Sequence, residues 1–147
     1  MSQSYSKIFA ALDADATQDA VLEKAIDLAT REGASLYLGH VIDSLPYEAA
    51  GADFGALTLQ KKEELEEKLR DVLDEIKHVG KIPHVEIIVK AGRVAETLLD
   101  DIIKTCDPDL VVCGERGLSN IQYVFVGSIS TYLIRHVRCD VLVVKQK

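Results

Sequence analysis

The segment Leu110-Val111-Val112-Cys113-Gly114-Glu115-Arg116-Gly117 joins a short, uninterrupted apolar run to a glycine-containing loop. An apolar run without alternating polar residues is typical of a strand in a parallel sheet, where helices cover both faces. Gly114 interrupts the run, as glycine commonly does at the end of a regular element. This segment therefore predicts a buried β-strand over residues 110–113.

The same alternation of apolar runs and helical spacing extends over the rest of the chain. Helical spacing of apolar residues predicts helices at residues 21–29, 65–76, 94–103 and 129–137. Short apolar runs predict strands at residues 8–12, 36–42, 85–89, 110–113 and 141–144. Strands that alternate with helices predict an α/β fold in which helices cover both faces of a five-stranded parallel sheet. Because crossover connections are right-handed, the expected strand order is 3-2-1-4-5.

Length, composition and charge narrow the class of protein. The 147 residues fit a single domain, residues 1–147, and 48% of them are hydrophobic. Such a composition disfavours disorder and a disulfide scaffold. Seventeen basic and 24 acidic residues leave a net charge of −7, so we do not expect nucleic acid as a partner.

Cysteine usage and hydropathy point to a cellular compartment. The three cysteines, Cys106, Cys113 and Cys139, contain no CxxC pair, which favours a reducing environment. The first residues lack the basic and apolar regions of a signal peptide, and no window approaches the roughly 18 apolar residues of a membrane span. We therefore expect a cytoplasmic protein that does not bind a membrane.

The predicted strand order locates a binding crevice. Ligands of such sheets bind outside the carboxyl ends of the strands where the order reverses, here strands 1 and 4. The residues that this places at the crevice are Ala11, Leu12, Asp13, Cys113 and Gly114. A carboxylate such as that of Asp13 accepts hydrogen bonds from a ribose hydroxyl or an adenine amine. The alternative role for Asp13 is to cap the following helix.

Three glycines and a helix start converge on the same crevice. Gly114, Gly117 and Gly127 allow a ligand to approach the backbone closely. Gly127 directly precedes Ser128-Ile129-Ser130, where a helix begins, and unpaired N–H groups at a helix N-terminus suit phosphate. The alternative interpretation is a purely structural role, in which the glycines end strands and the serine caps a helix. At the end of strand 2, the backbone of Val41 is placed to bind an adenine edge, unless Val41 is only a core residue.

These segments together resemble the universal stress protein family. The likeness covers nearly the whole chain and is carried by the spacing Gly114-x2-Gly117-x9-Gly127-Ser128. Further matching segments are Lys7 to Asp13, Gly39-His40-Val41-Ile42-Asp43, Gly92-Arg93-Val94-Ala95-Glu96, Asp107 to Val112 and Val141-Leu142-Val143-Val144. The resemblance implies a Rossmann-like, adenine nucleotide alpha hydrolase-like three-layer fold that binds ATP and forms a homodimer. It also implies a role in the stress response as a regulator or switch acting on an unknown protein partner.

The resemblance also assigns roles to individual residues. It implies that Asp13 and Val41 hold adenosine. The residues that it assigns to the phosphates are Gly114, Arg116, Gly117, Gly127, Ser128, Ile129 and Ser130. ATP is the expected cofactor, with ADP, AMP or cyclic AMP as alternatives, and Mg²⁺ is expected near Asp13 and Asp15 if it accompanies the nucleotide.

The sequence departs from the family pattern beside the phosphate positions. Asp15 stands where the family has serine, and Glu115 stands where a small residue is common. Two extra carboxylates lower the expected phosphate affinity and leave the number of bound phosphates open. A third departure, Asp140 in place of a proline before the last strand, has a structural rather than a functional meaning.

Other functional classes fit the sequence less well. Slow ATP hydrolysis stays open, but Ser128 lacks the GxSxG pattern of a nucleophile elbow. A phospho-acceptor receiver domain needs an aspartate after strand 3, where this chain has Val89-Lys90-Ala91-Gly92. A zinc site at His136 and Cys139 lacks the usual paired spacing, and His40 is interpreted as a structural histidine.

A scaffold that binds proteins without a nucleotide is the third alternative. In the predicted order, Val141–Val144 is an apolar edge strand, and such an edge invites pairing with another strand. We expect a homodimer in which this strand pairs with its copy across a two-fold axis. The long segment of residues 43–58, which contains Pro46, Gly51 and Gly55, is a candidate lid over the crevice.

Overall fold

The computed structural model describes residues 4–12, 17–115 and 128–145. All strands of its five-stranded sheet run parallel in the order β3-β2-β1-β4-β5, which confirms the predicted topology. The strands are β1 (Lys7–Ala11), β2 (Ser35–Asp43), β3 (Val85–Gly92), β4 (Leu110–Gly114) and β5 (Asp140–Val144).

Helices connect the strands and cover the sheet. Their bounds are α1 (Thr17–Glu32), α2 (Leu45–Glu48), α3 (Phe54–Lys68), α4 (Arg70–Val79), α5 (Val94–Thr97), a π-helical segment π1 (Leu98–Ile103), α6 (Lys104–Cys106) and α7 (Ser128–His136). In the described part of the chain, no helix combines the length and the apolar character needed to cross a membrane.

Alternating side chains of the strands build two hydrophobic cores, one on each face. Ile8, Ala10 and Leu12 pack with α1, α3 and α4 on one face, and Phe9 and Ala11 pack with π1, α6 and α7 on the other. This period of two follows from strand geometry. Because β1 is buried on both faces, it lies at the centre of the molecule.

Two predicted elements differ in detail from the structure. The helix predicted over residues 65–76 is part of a longer pair, α3 and α4, which meet at Leu69. The Leu69 N–H still donates to the Leu65 carbonyl at 2.9 Å, and the Leu73 N–H donates to the Leu69 carbonyl at 2.8 Å. Helical hydrogen bonding therefore continues across Leu69, and Leu65 and Leu69 are both buried.

The segment proposed as a lid is largely helical. Only residues 49–53 lie between α2 and α3, and Asp53 caps α3 by accepting a hydrogen bond from the Ala56 N–H at 3.1 Å. Residues 43–58 therefore do not form one long loop, because Pro46 and Gly55 both lie inside helices. Segment length therefore no longer supports a lid.

Gly39 is required by the packing of the central strands. A Cβ atom at this position would lie 2.5 Å from two ring atoms of Phe9, whose side chain is fully buried. We expect Gly39→Ala to lower the free energy of unfolding by about 1–3 kcal/mol, because the enclosed ring has no room to move. Chemical denaturation measures the loss. The control is Gly55→Ala at the exposed start of α3, where an added Cβ would lie 3.3 Å from the carboxylate oxygen of Asp53, a side chain that can shift. We expect a much smaller change in stability there, and equal losses for both variants would contradict the packing argument.

Candidate functional site

The strand order places the switch-point crevice at the carboxyl edge of the sheet, between β1 and β4. The two strands are neighbours, but the chain leaves them in opposite directions. Helix α1 follows β1 on one face of the sheet, whereas α7 follows β4 on the other. This divergence is the topological switch point at which open parallel sheets bind ligands. The structure therefore brings the ends of β1 and β4 together as the sequence predicts.

The crevice-forming strand ends have buried side chains. Ala11, Leu12 and Cys113 are each 5% exposed or less, and Gly114 is buried as well. Their side chains belong to the two cores, so these residues offer a ligand their backbone. The Glu115 N–H donates to the Val144 carbonyl at 3.1 Å, so the first amide of the loop after β4 is already used by the sheet.

Strand β2 extends beyond β1 and presents backbone polar groups at the crevice. The β1–β2 pairing ends at Ala11 and Gly39, and the Leu12 N–H donates to the Gly39 carbonyl at 2.7 Å. The N–H and C=O groups of a strand alternate in direction from residue to residue. Those of Val41, two residues after Gly39, therefore also point towards the β1 side. Within the described ranges they have no ladder partner there.

The side chain of Val41 has a separate role. It is 3% exposed and packs in the core on the α7 face. The interpretation of Val41 as a core residue is confirmed for its side chain, whereas its backbone faces the crevice and its role in adenine binding stays a prediction. Register, rather than residue type, determines this arrangement.

His40 supports the floor of the crevice. Its side chain is 8% exposed, and Nδ1 lies 3.0 Å from the Leu12 carbonyl oxygen. The interpretation as a satisfied structural histidine is confirmed. The sequence did not predict the partner of His40, which is the carbonyl group of Leu12, the residue immediately before Asp13. Burial is the main cause that lowers the pKa of His40; the hydrogen bond to Leu12 opposes this shift, and nearby Lys61 adds to it.

The lowered pKa of His40 predicts a pH dependence of stability. The unfolded chain, with a histidine pKa of about 6.5, takes up this proton more readily than the folded protein. The stabilising effect of neutral His40 is complete above that pH and decreases as the pH falls below it. We expect His40→Asn, which retains an N–H donor for Leu12 but does not titrate, to show a weaker loss of stability on acidification. Chemical denaturation at a series of pH values tests this, and parallel curves for both proteins would contradict it.

The start of α7 contributes the second wall of the crevice. Because α7 leads back from the end of β4 to the beginning of β5, its N-terminus lies at the carboxyl edge. Its N–H groups and partial positive charge therefore face the same edge as the strand ends. Ile129 is half-buried against the core and Ser130 is fully buried, while Ser128 is the first residue of the helix.

Several predicted site residues lie outside the described ranges. These are Asp13, Asp15, Arg116, Gly117 and Gly127. The roles assigned to them from the sequence remain predictions, as does the expected position of Mg²⁺.

The cysteine thiols are held in their protonated form. Burial raises the pKa of the Cys113 thiol to about 11, and burial is also the main cause that raises the pKa values of Cys106 and Cys139. A protonated thiol is a poor nucleophile and a poor metal ligand. Over residues 4–12, 17–115 and 128–145, no three His, Cys, Asp or Glu side chains are grouped as a metal site requires.

The fold defines a Rossmann-like α/β protein whose strand order reverses between β1 and β4. Residues 4–145 match the model of the universal stress protein family, which is nearly the whole chain. The chain belongs to this family, and the resemblance noted from its motifs is confirmed.

Known proteins support the assignment. A universal stress protein of Synechocystis sp. is 35% identical over 152 aligned residues, which cover 96% of this chain and 98% of the relative. The solved structure of the hypothetical protein MJ0577 superimposes with a TM-score of 0.77 at 26% identity and covers 99% of both chains.

Two further solved structures contain adenine nucleotides. One is a universal stress protein in complex with cAMP, with a TM-score of 0.65 and 22% identity over 97% of this chain and 98% of that one. The other is a universal stress protein from Archaeoglobus fulgidus in complex with dAMP, with a TM-score of 0.63 and 21% identity over 97% of this chain and all of that one. At these identities the likeness establishes the shared fold.

Proposed function

We propose that this protein binds an adenine nucleotide, with ATP as the preferred ligand, in the crevice between β1 and β4. The observation that carries the proposal is the extension of β2 past β1. It leaves the N–H and C=O of Val41 pointing towards the crevice without a ladder partner among the described residues. An adenine edge carries an amine donor beside a ring-nitrogen acceptor, which complements one backbone acceptor and one backbone donor.

The remaining parts of the nucleotide are assigned along the same edge. Asp13 accepts hydrogen bonds from the ribose. The phosphates lie against the backbone of the loop that follows Gly114 and against the N-terminus of α7, where the helix dipole favours negative charge. The loop and helix residues in this role are Gly114, Arg116, Gly117, Gly127, Ser128, Ile129 and Ser130. When present, Mg²⁺ neutralises phosphate charge near Asp13 and Asp15.

The identity of the nucleotide is proposed from two observations. The cAMP and dAMP complexes of fold relatives support an adenine base. The complete spacing Gly114-x2-Gly117-x9-Gly127-Ser128 supports a site long enough for a polyphosphate, and therefore ATP. We further propose that the protein is a cytoplasmic regulator of the stress response and that nucleotide binding changes its interaction with a protein partner.

The direct test is to identify what the purified protein carries. Freshly purified protein is denatured and the released small molecules are identified by mass, followed by calorimetric titration with ATP, ADP, AMP and cyclic AMP, with and without Mg²⁺. We expect ATP to bind most tightly. Absence of both released nucleotide and binding would favour the scaffold alternative, whereas multiple turnovers of ATP would favour a hydrolase.

Removing the charge of Asp13 tests the adenosine end of the site. We expect Asp13→Asn to weaken ATP and AMP alike by about tenfold or more, because a hydrogen bond to a charged acceptor contributes about 1.5–3 kcal/mol. The matched control is Asp53→Asn, which keeps the cap of α3 because asparagine is an equally good N-cap. If both variants bound nucleotide like the wild type, Asp13 would have no role in the site.

We also propose that two copies associate through β5. Among the strands that the structure describes, β5 pairs with β4 alone and forms an edge of the sheet. Val141–Val144 are half-buried rather than buried, which leaves apolar surface for a partner strand. Antiparallel pairing of two such edges across a two-fold axis gives a closed dimer.

A further inference from the structure

A second cleft lies at the amino edge of the sheet, opposite the nucleotide crevice. Its volume is about 720 Å³, within the usual range for sites that bind small molecules. Leu99, Ile103, Pro108 and Val137 provide an apolar floor, and charged side chains surround it. The cleft lies between the end of the π1–α6 helix and the connection from α7 to β5.

The backbone on one side of the cleft is strained at Asp107. Asp107 has a φ of +52°, and among the described residues the other positive values belong to glycines, Gly33, Gly51 and Gly80. Gly33 and Gly80 end α1 and α4, as glycine commonly does. The helix end beside the cleft has an aspartate instead, at an energetic cost that glycine avoids. A strained residue of this kind is a reason to look for a function of its side chain.

Most charged groups around the cleft already have a hydrogen-bond or ion-pair partner within the protein. The Asp109 carboxylate accepts hydrogen bonds from the Ser6 and Lys7 N–H groups at 2.9 and 3.1 Å. Asp140 accepts the Tyr5 hydroxyl at 2.7 Å, and Lys104 pairs with Asp100 at 3.1 Å.

Two charged groups on the cleft wall remain available to a ligand. Asp107 and Arg138 are exposed and line the cleft, and within the described ranges neither forms an ion pair. They provide one carboxylate and one guanidinium group without an ion-pair partner among the described residues, above the apolar floor.

The helix that supplies the floor is itself irregular. Leu99 and Ile103 belong to π1, and π-helical segments occur frequently at functional sites. Segment π1 widens the helix directly beneath the cleft. The strained Asp107 and the π-helical floor are thus two separate deviations from regular structure that meet at one cavity.

We propose that this cleft binds a small zwitterion with an apolar side chain, an amino acid or a dipeptide. Arg138 binds the carboxylate of the ligand, Asp107 binds its ammonium group, and the apolar floor contacts its side chain. No covalent step is involved, and the site is independent of the nucleotide crevice at the other edge.

Leucine and leucyl-leucine serve as zwitterionic probes, with N-acetylleucine lacking the ammonium group and leucinamide lacking the carboxylate. Titrations followed by amide chemical shifts report both affinity and location. We expect the zwitterions to shift amides of residues 99–109 and 136–140. Each blocked probe should bind at least about tenfold more weakly, because a charge-assisted hydrogen bond is lost.

Two variants and one control locate the binding groups. Arg138→Gln and Asp107→Asn should each weaken the zwitterions at least about tenfold, and asparagine keeps the left-handed backbone because it tolerates positive φ. Asp107→Asn should have no further effect on N-acetylleucine. Arg70→Gln, on α4 far from the cleft, should bind like the wild type. Shifts elsewhere, equal binding of blocked and free probes, or no shifts at millimolar concentration would overturn the proposal, whatever the outcome of the ATP titrations.

Discussion

Val143→Pro is expected to convert the proposed dimer into monomers while leaving the fold intact. The Glu115 N–H donates to the Val144 carbonyl, so the backbone groups of Val144 point towards β4. Because these groups alternate along a strand, those of Val143 point away from the sheet. Proline removes one outward N–H and adds a ring at the edge, which blocks pairing with a second strand.

The alternating direction of the backbone groups along β5 also explains why the monomer should remain folded. The β4–β5 ladder uses the backbone groups of Leu142 and Val144, which proline at residue 143 leaves in place. Val143→Ala is the matched control, because it keeps the N–H and shortens the side chain. Sedimentation velocity should show monomers for the proline variant and dimers for wild type and control. A proline variant that remains dimeric would place the interface elsewhere.

The topology could be predicted because it depends on few signals. Buried runs such as Leu110–Cys113 identify central strands by composition alone, and right-handed crossovers then leave few strand orders. Gly33 likewise ends α1 with a φ of +65°, as glycine commonly does after a helix. These features follow from local residue chemistry combined with a general rule of chain connection.

The features that the sequence did not predict depend on contacts between distant residues. The need for glycine at residue 39 comes from the Phe9 ring on the neighbouring strand. The support that His40 gives to Leu12 comes from the β1–β2 register. The π-helical segment and the cleft at the amino edge have no motif, because helical spacing of apolar residues looks the same in α- and π-helical turns.

Val41→Pro is expected to abolish nucleotide binding with little effect on the sheet. The ladder between β2 and β3 at this point uses His40 and Ile42, whose backbone groups point away from β1. The Val41 N–H takes no part in that ladder, so proline removes no hydrogen bond from it. The proline ring instead occupies the position in which the adenine acceptor is proposed to lie.

The expected loss in affinity is large because two effects combine. The site loses a donor, and the ring introduces a steric clash with the base, so ATP, AMP and cyclic AMP should all weaken by about a hundredfold or more. This differs from a change at the phosphate end, which would affect ATP more than AMP. Calorimetric titration with all three nucleotides separates the two cases.

A matched variant separates the backbone of Val41 from its side chain. Val41→Ala keeps the N–H and removes methyl groups from the core on the α7 face, so it should lose stability but retain nucleotide binding. Val41→Pro should combine a similar loss of stability with no measurable binding, so the two variants differ in binding alone. If the proline variant bound ATP with wild-type affinity, adenine would not lie against β2, and the extension of this strand past β1 would need another explanation.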